Sequence, residues 1–399
     1  MEEIVLVAGA RTAWAEYAGT PGGGAFRDLT SVELGAAAAR AAIERAGVEA
    51  RAFDHCVMGN ALQTGPDAIY GARHVALRAG LPIEAGALTV NRLCGSGIEA
   101  VAQAARLIRS GDASWVLAGG MENMSQAAHV ARGLRGEPVR FGRDLQLVDS
   151  LFEALRDPFC DRFMAQTSDA LARNYGIGRE AQDEYALRSH REGVRAVREG
   201  LFKDEVVPVP VKRRRETVPW DSDDHVKPDT SLEKLASLSP AFGKEGTVTA
   251  GNASGIVDGA ACLVVSSARR AADAGAKPLG RLVSYAVVGV PPEIMGIGPA
   301  PAIREALRRA GLRLEDLDRV EVNEAFAGQY LAVEKELGLD RSRTNVNGGS
   351  IALGHPLGAT GARLLLTLLH ELRRRGKRRG CAAACIGGGQ GIAMVVDAA

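Results

Sequence analysis

The sequence predicts an α/β protein made of two similar halves. Three observations predict it: an opening strand-helix-strand unit, a late stretch that repeats it, and an intervening segment with neither pattern. The chain has 399 residues, 46% of them apolar, which is longer than one hydrophobic core usually grows.

EEIVLVAGA (2–10) reads as a buried strand, and SVELGAAAARAAIERAGV (31–48) has helical spacing ending at a capping-type Gly47. DHCVMGNAL (54–62) is a second strand, so the opening favours a parallel, helix-covered sheet. RAGV starting at Arg45 precedes DHCVMGNA by the same interval at which RAGL starting at Arg309 precedes DRVEVNEA. TVNRLCGSG (89–97) is answered by TNVNGGSIALGHPLGATG (344–361), and SWVLAGG (114–120) by CAAACIGG (381–388). Two related halves follow. The first covers 1–121 and is completed by about 249–275, where GTVTAGNASGIVDGAACLVVSS returns to glycine turns and a buried strand; the second covers 276–399. Between them, 122–248 reads as an inserted, loop-rich domain with irregular text such as VPVPVKRRRETVPW and three helical stretches, SDALARNYG, EAQDEYALRSHREGVRAVREG and TSLEKLASL.

Composition removes several function classes. A formal net charge of +1 provides no broad field for nucleic acid or an anionic membrane, and KRRRE (212–216), flanked by prolines and acids, reads as a solvated turn. No apolar run of about 18 residues occurs, and the start MEEIVLVAGARTAW carries acids where a signal peptide is basic, so a cytoplasmic location is expected. Six scattered cysteines without a C-x-x-C pair fit free thiols in a reducing compartment.

Four segments carry candidate chemistry. In NRLCGSGIEAVAQAARLIRSG the cysteine opens a helix whose positions 98, 101, 102, 105 and 108 form one apolar stripe. Cys94 at a helix N-terminus is expected to have a lowered thiol pKa, and Gly95 and Gly97 to let a substrate approach the backbone. On this stretch alone, a nucleophile and a small buried hydrophobe are both open readings. GGSIALGHPLGATG holds His355 in a glycine-rich turn between a strand TNVN and a long helix, a setting suited to a general base. As a phosphate loop it fails, because His-Pro stands where Lys-Ser/Thr is required. His370, inside that helix, reads as a packing or surface residue. VEVNEAFAGQY puts Asn323 and Glu324 at a strand end, where they could orient water or a carbonyl, or simply cap a helix. ACIGGGQG (384–391) lacks the third glycine of a dinucleotide fingerprint, Ile392 standing in its place. A second thiol, Cys385, beside backbone N–H groups bared at Gly387 fits an oxyanion site instead.

Together NRLCGSG, GGMENMSQA, GTVTAGNASG, NEAFA, GGSIALGHPLGATG and CIGGGQG, in this order, resemble the thiolase family from about residue 4 to the end. The resemblance implies a layered αβαβα core. It implies Cys94 as the acylated nucleophile, His355 as the base for Cys94 and the coenzyme A thiol, and Cys385 as the α-carbon acid/base. It also implies Asn323 as the holder of an oxyanion-hole water and the N–H groups of Cys94 and Gly387 as a second hole. Met164, Lys227, Thr230, Ser254, Met295 and Phe326 match positions that bind substrate or coenzyme A. The implied reaction is acyl-CoA plus acetyl-CoA in equilibrium with 3-oxoacyl-CoA plus coenzyme A, with no metal or redox cofactor and a homodimer or homotetramer as the assembly. Phe163 stands where short-chain biosynthetic members have a pocket histidine and Val257 where the family often has asparagine, and both bring the chain nearer to degradative 3-ketoacyl-CoA thiolases; Lys227 stands where an arginine is common in the family. The rival readings are a decarboxylating ketoacyl synthase, which would typically want a histidine where Asn323 stands, and an acyl-CoA- or lipid-binding relative without catalysis.

Overall fold

Alternating apolar residues make the strands, and apolar spacing of 3–4 makes the helices that cover them. The computed structural model describes residues 2–136, 141–142, 144–213 and 215–399. Its main strands are β1 (Ile4–Thr12), β2 (His55–Gly59), β3 (Gly86–Val90), β4 (Trp115–Glu122), β5 (Val257–Ser267), β6 (Gly280–Gly289), β7 (Arg319–Val322), β8 (Arg379–Ile386) and β9 (Gln390–Ala398). Its principal helices are α1 (Ser31–Ala46), α2 (Ser96–Ser110), α3 (Met164–Asn174), α4 (Arg179–Arg198), α5 (Pro299–Ala310), α6 (Ala327–Leu337) and α7 (Leu357–Arg374).

These strands belong to an eleven-stranded mixed sheet whose main path is β7, β8, β9, β6, β1, β5, β4, β2, β3. Outward from the β1–β6 junction, both halves have one pattern. β1, β5 and β4 are successively antiparallel and β4 runs parallel to β2; β6, β9 and β8 are successively antiparallel and β8 runs parallel to β7. The sequence repeat is a repeat of topology. The parallel sheet favoured by the opening unit is corrected to a mixed one, because β1 and β2 are not neighbours. Helix α1 carries the chain past two strand positions, and β5 enters antiparallel between β1 and β4.

Side chains alternate along each strand and feed different layers. Val5 and Val7 of β1 face α1, whereas Ile4 and Leu6 face a central layer made of α2 and α7. Residues 98, 101, 102, 105 and 108 of α2 are all buried in that central layer, as the stripe predicted. Ala382, Ala384 and Ile386 of β8 enter it from the other side, while Cys381 and Ala383 face the cluster of α5 and α6. Helix α1 starts in a capping box, with Thr30 Oγ1 accepting from the Glu33 N–H and the Glu33 carboxylate accepting from the Thr30 N–H.

Two further readings are corrected. TNVN (344–347) is not a strand: Thr344 makes a single bridge to Val320 and Asn345 turns at φ 48. The Asn345 side chain imitates a strand partner, its Oδ1 accepting from the Val322 N–H and its Nδ2 donating to the Val322 carbonyl, both at 2.9 Å. Within VPVPVKRRRETVPW, Val209–Arg213 pairs antiparallel with Glu216–Trp220 and buries Val209 and Val211 in the cluster beneath α1. Arg214 of KRRRE, and residues 137–140 and 143 of the inserted segment, lie outside the described residues. The segment is also tied to β1 by buried Arg11, which donates to Glu205 at 2.7 Å and to both oxygens of Asp223 at 2.7 and 2.8 Å. Losing one partner of such a buried ion pair typically costs about 3–5 kcal/mol.

The central layer is held at backbone contact by glycine. A Cβ on Gly97 of α2 would collide with the Ala362 N–H of α7, and one on Gly361 would lie 2.5 Å from the Ile98 nitrogen. A Cβ on Gly120 of β4 would strike the Gly358 carbonyl at the start of α7. Gly120→Ala should therefore destabilise the protein by about 1–3 kcal/mol or more, since the obstructing atoms are backbone. Gly289→Ala, at an open strand end, should change stability by no more than about 0.5 kcal/mol. Urea unfolding midpoints test this, and equal midpoints for the two variants would remove the crossing as a constraint.

Candidate active site

Cys94 lies in a 3₁₀ turn, Leu93–Gly95, that leads into α2. Leu93 has φ 45, a left-handed conformation that a branched side chain avoids. It is held there by a hydrogen bond from its N–H to Asn91 Oδ1 at 2.9 Å and by Ser96 Oγ, which donates to the Leu93 carbonyl at 2.7 Å. The strained turn presents Cys94 to a pocket of about 350 Å³ that is also lined by Met164, Ser254, Met295, Phe326, His355 and Gly387.

The N–H groups of Cys94 itself and of Gly387 approach the Cys94 sulfur. Burial outweighs them and pushes the thiol up to about 11, so the lowered pKa expected from the helix N-terminus is corrected. Cys94 precedes α2 by a tight turn, and the pocket wall is largely apolar. His355 stands between the helical turn Ser350–Leu353 and α7. Burial, and then the charge of Arg363, push it down to about 3, so the imidazole is neutral. Its Nε2 lies 3.3 Å from Asn323 Nδ2 and its Nδ1 lies 2.6 Å from Thr360 Oγ1. A neutral thiol thus shares the pocket with a neutral base.

Asn323 follows β7 and backs His355 from outside the pocket lining. Neither it nor Glu324 caps α6, whose N-cap is Phe326. Glu324 does not reach the pocket either: its carboxylate accepts from Tyr185 at 2.7 Å, Ser189 at 2.6 Å, Asn345 at 2.9 Å and the Ile351 N–H at 3.2 Å. Cys385, the penultimate residue of β8, is buried in a small cluster with Met164, Met295, Ala325 and Phe326. Burial, and then the neighbouring Cys94, push its thiol well above the usual value.

The glycines of ACIGGGQG divide their work. Gly387 lines the pocket, where an added Cβ would press on Leu93 and Met164 at 3.1 and 3.2 Å. Gly388 and Gly389, at φ 81 and 85, make the β8–β9 turn. Gly95 and Gly97 do not clear a path for substrate as expected. A Cβ on Gly95 would meet Ile386 and Ile392, and one on Gly97 would meet α7.

Ser254, Met164, Met295 and Phe326 line the pocket, whereas Lys227 and Thr230 do not. Lys227 Nζ donates to Glu16 at 2.9 Å and Thr230 Oγ1 donates to the Lys227 carbonyl at 2.8 Å. Although burial opposes it, His225 and Lys227 hold the Glu16 carboxyl down at about 2.

Two family models match the chain end to end: the thiolase N-terminal domain over residues 4–269 and the thiolase C-terminal domain over 276–398. The chain belongs to the thiolase family. Human mitochondrial 3-ketoacyl-CoA thiolase is 48% identical over 394 residues, covering 99% of this chain and 98% of that protein. Acetyl-CoA acetyltransferase of Cupriavidus necator is 46% identical over the whole length of both. The crystal structure of the human mitochondrial enzyme in complex with CoA superposes with a TM-score of 0.95 at 47% identity, covering 100% of this chain and 98% of that one.

In this thiolase Phe163 joins Phe152 and Phe242, with ring centroids 4.7 and 5.0 Å away, and Phe242 lines the pocket. Val257 packs against Gly354, next to His355. The sequence reading missed Glu122. Its carboxylate accepts from the N–H groups of Ala61, Leu62 and Gly358 at 3.0, 2.9 and 2.9 Å, pinning the start of α7 beside the pocket. The signal was present in GGMENMSQA as an acid ending an apolar strand. Among the described residues, no cluster of His, Cys, Asp or Glu is arranged to hold a metal ion, and no helix is long and apolar enough to cross a membrane.

The neutral thiol–imidazole pair gives a pH prediction. Thiolate grows as pH rises towards about 11, so iodoacetamide alkylation of Cys94, followed by mass spectrometry, should keep accelerating through pH 9. A plateau already reached near pH 7 would reveal a preformed thiolate–imidazolium pair instead.

Proposed function

We propose that this thiolase cleaves 3-oxoacyl-CoA with coenzyme A and runs the reverse Claisen condensation through a Cys94 acyl-enzyme. The reading rests on one observation: Cys94, His355 and the Gly387 backbone line the same pocket, with Cys385 buried beside Cys94. In thiolysis, His355 takes the Cys94 proton as the sulfur attacks the 3-oxo carbon. The C2–C3 bond then breaks, its electron pair stays on C2 as the acetyl-CoA enolate, and Cys385 delivers a proton to that carbon. The proton held by His355 passes to the Cys385 thiolate, leaving both groups neutral; the coenzyme A thiol then attacks the acyl-enzyme, His355 accepts its proton and returns it to the departing Cys94 sulfur, and acyl-CoA leaves. Each carbonyl oxygen gains negative charge, which is why preorganised donors are needed: the N–H groups of Cys94 and Gly387 at one position, and a water held by Asn323 and His355 at the other. Splitting the reaction at the acyl-enzyme gives ping-pong kinetics.

The scheme uses coenzyme A as a substrate and calls for no metal or redox cofactor. The departures at Phe163 and Val257 from the short-chain biosynthetic pattern support a substrate range not limited to acetoacetyl-CoA and a degradative setting such as fatty-acid β-oxidation. Met164, Ser254, Met295 and Phe326 are the contacts for the acyl-CoA arm. Lys227 and Thr230 are assigned to its distal end, where Lys227 lacks the planar fork of an arginine.

Exposed Ile69, Tyr70, Ile83 and Leu88 lie on and beside β3, the terminal strand of the sheet path. An apolar patch on an unpaired edge favours self-association, consistent with a homodimer or homotetramer built on the first half.

Cys94→Ser should lose acyl-enzyme formation, whereas Cys385→Ser should still be acylated by acetyl-CoA and fail in both condensation and thiolysis. Stopped-flow assays with intact-protein mass spectrometry separate the two, and full thiolysis by the second variant would overturn the role of Cys385. Light scattering should give a multimer for the wild type and a smaller species for Ile83→Glu with Leu88→Glu; an unchanged mass would move the interface elsewhere.

A further inference from the structure

Three residues outside the pocket lining connect to His355 through a continuous chain of hydrogen bonds. Arg363 is fully buried on α7 and can only donate; its Nη2 lies 3.3 Å from Ser350 Oγ. Ser350 Oγ donates its single proton to Asn323 Oδ1 at 2.6 Å, which leaves its lone pairs for Arg363. That contact fixes which end of the Asn323 amide faces His355, so Nδ2 donates to Nε2 at 3.3 Å. Nε2 must then carry a lone pair and Nδ1 the proton. Nδ1 donates to Thr360 Oγ1 at 2.6 Å, and Thr360 passes its proton to the Pro356 carbonyl at 3.2 Å, a group that can only accept.

We propose that Arg363, Ser350 and Thr360 form a one-way hydrogen-bond relay through Asn323 that fixes His355 as the Nδ1–H tautomer, leaving Nε2 as its only basic nitrogen. The three are positioning residues: they act on the base and do not touch substrate. The inference rests on the reading of His355 as the base for Cys94 and goes beyond it by naming what holds that base ready. A neutral imidazole has two tautomers, and only one presents a lone pair to a given proton. A relay with a fixed donor at one end and a fixed acceptor at the other removes the wrong one without placing a charged group against the ring. The Arg363 guanidinium lies 3.8 Å from Glu321 and over the Trp14 ring at 5.2 Å, so its position is itself fixed.

The test uses the full-length enzyme with ¹⁵N-labelled histidine and magic-angle-spinning spectra, the His355 signals being assigned by their loss in His355→Gln. The wild type should show an unprotonated Nε2 and a protonated Nδ1. Thr360→Val deletes the acceptor and keeps the shape. It should give a mixture of tautomers and slow Cys94 acylation by acetyl-CoA at least about tenfold, part of what a positioned base contributes, with KM nearly unchanged. Thr360→Ser should restore both. Ser350→Ala, acting at the other end, should give the same pair of effects and decides the matter if Thr360→Val does not fold. A wild-type tautomer together with acylation within about twofold of wild type in the folded variant would overturn the relay. If the wild type itself is not acylated, the proposed function fails, while the spectra still decide the tautomer.

Discussion

How closely α2 and α7 can cross determines where everything else lies. Both half-sheets press on this helix pair, and Gly97, Gly361, Gly120 and Gly358 bring the backbones into contact. The turn before α2 holds Cys94 and the loop before α7 holds His355, so the crossing distance sets the separation of nucleophile and base. One methyl group at the crossing would push the two loops apart. Precise placement of reacting groups is worth several kcal/mol in catalysis, and here it is achieved by the absence of side chains.

The electrostatics of the site follow from the same burial. An exposed thiol at a helix start would be partly ionised near neutral pH, but Cys94 faces an apolar pocket and is pushed up to about 11. His355 is pushed down to about 3 by the same cause and by Arg363. Neither group carries charge at rest. Charge develops only when a carbonyl is present to receive it, which suits a pocket that must admit a neutral thioester and then stabilise an enolate.

Much of this was legible in the sequence, and what was not has physical reasons. The strands, the long helices and the repeat follow from local periodicity, and the Cys94, His355 and Cys385 segments are marked by glycine and by reactive side chains. The antiparallel entry of β5 was not legible, because its partners β1 and β4 lie far upstream and pairing direction leaves no local trace. TNVN misled because the Asn345 side chain takes the place of a ladder. The thiol pKa misled because a helix terminus is a local feature and burial is not. Gly95 and Gly97 were assigned to substrate, although their neighbours are Ile386, Ile392 and α7. Ser350, Thr360 and Arg363 look unremarkable in a glycine-rich loop and an apolar helix; only distances join them.

The placement of β5 also governs the order in which the protein can assemble. β1 and β4 are synthesised early, yet the strand that joins them, Val257–Ser267, comes only after the whole inserted segment. Until then the first half has two open strand edges flanking a missing centre, and a pairing such as Ile4 with Ser267 closes a very long loop. Long-range pairing of this kind slows folding and leaves nascent chains prone to wrong edge-to-edge contacts. A ribosome-bound chain stopped before residue 257 therefore lacks the piece that seals its first sheet.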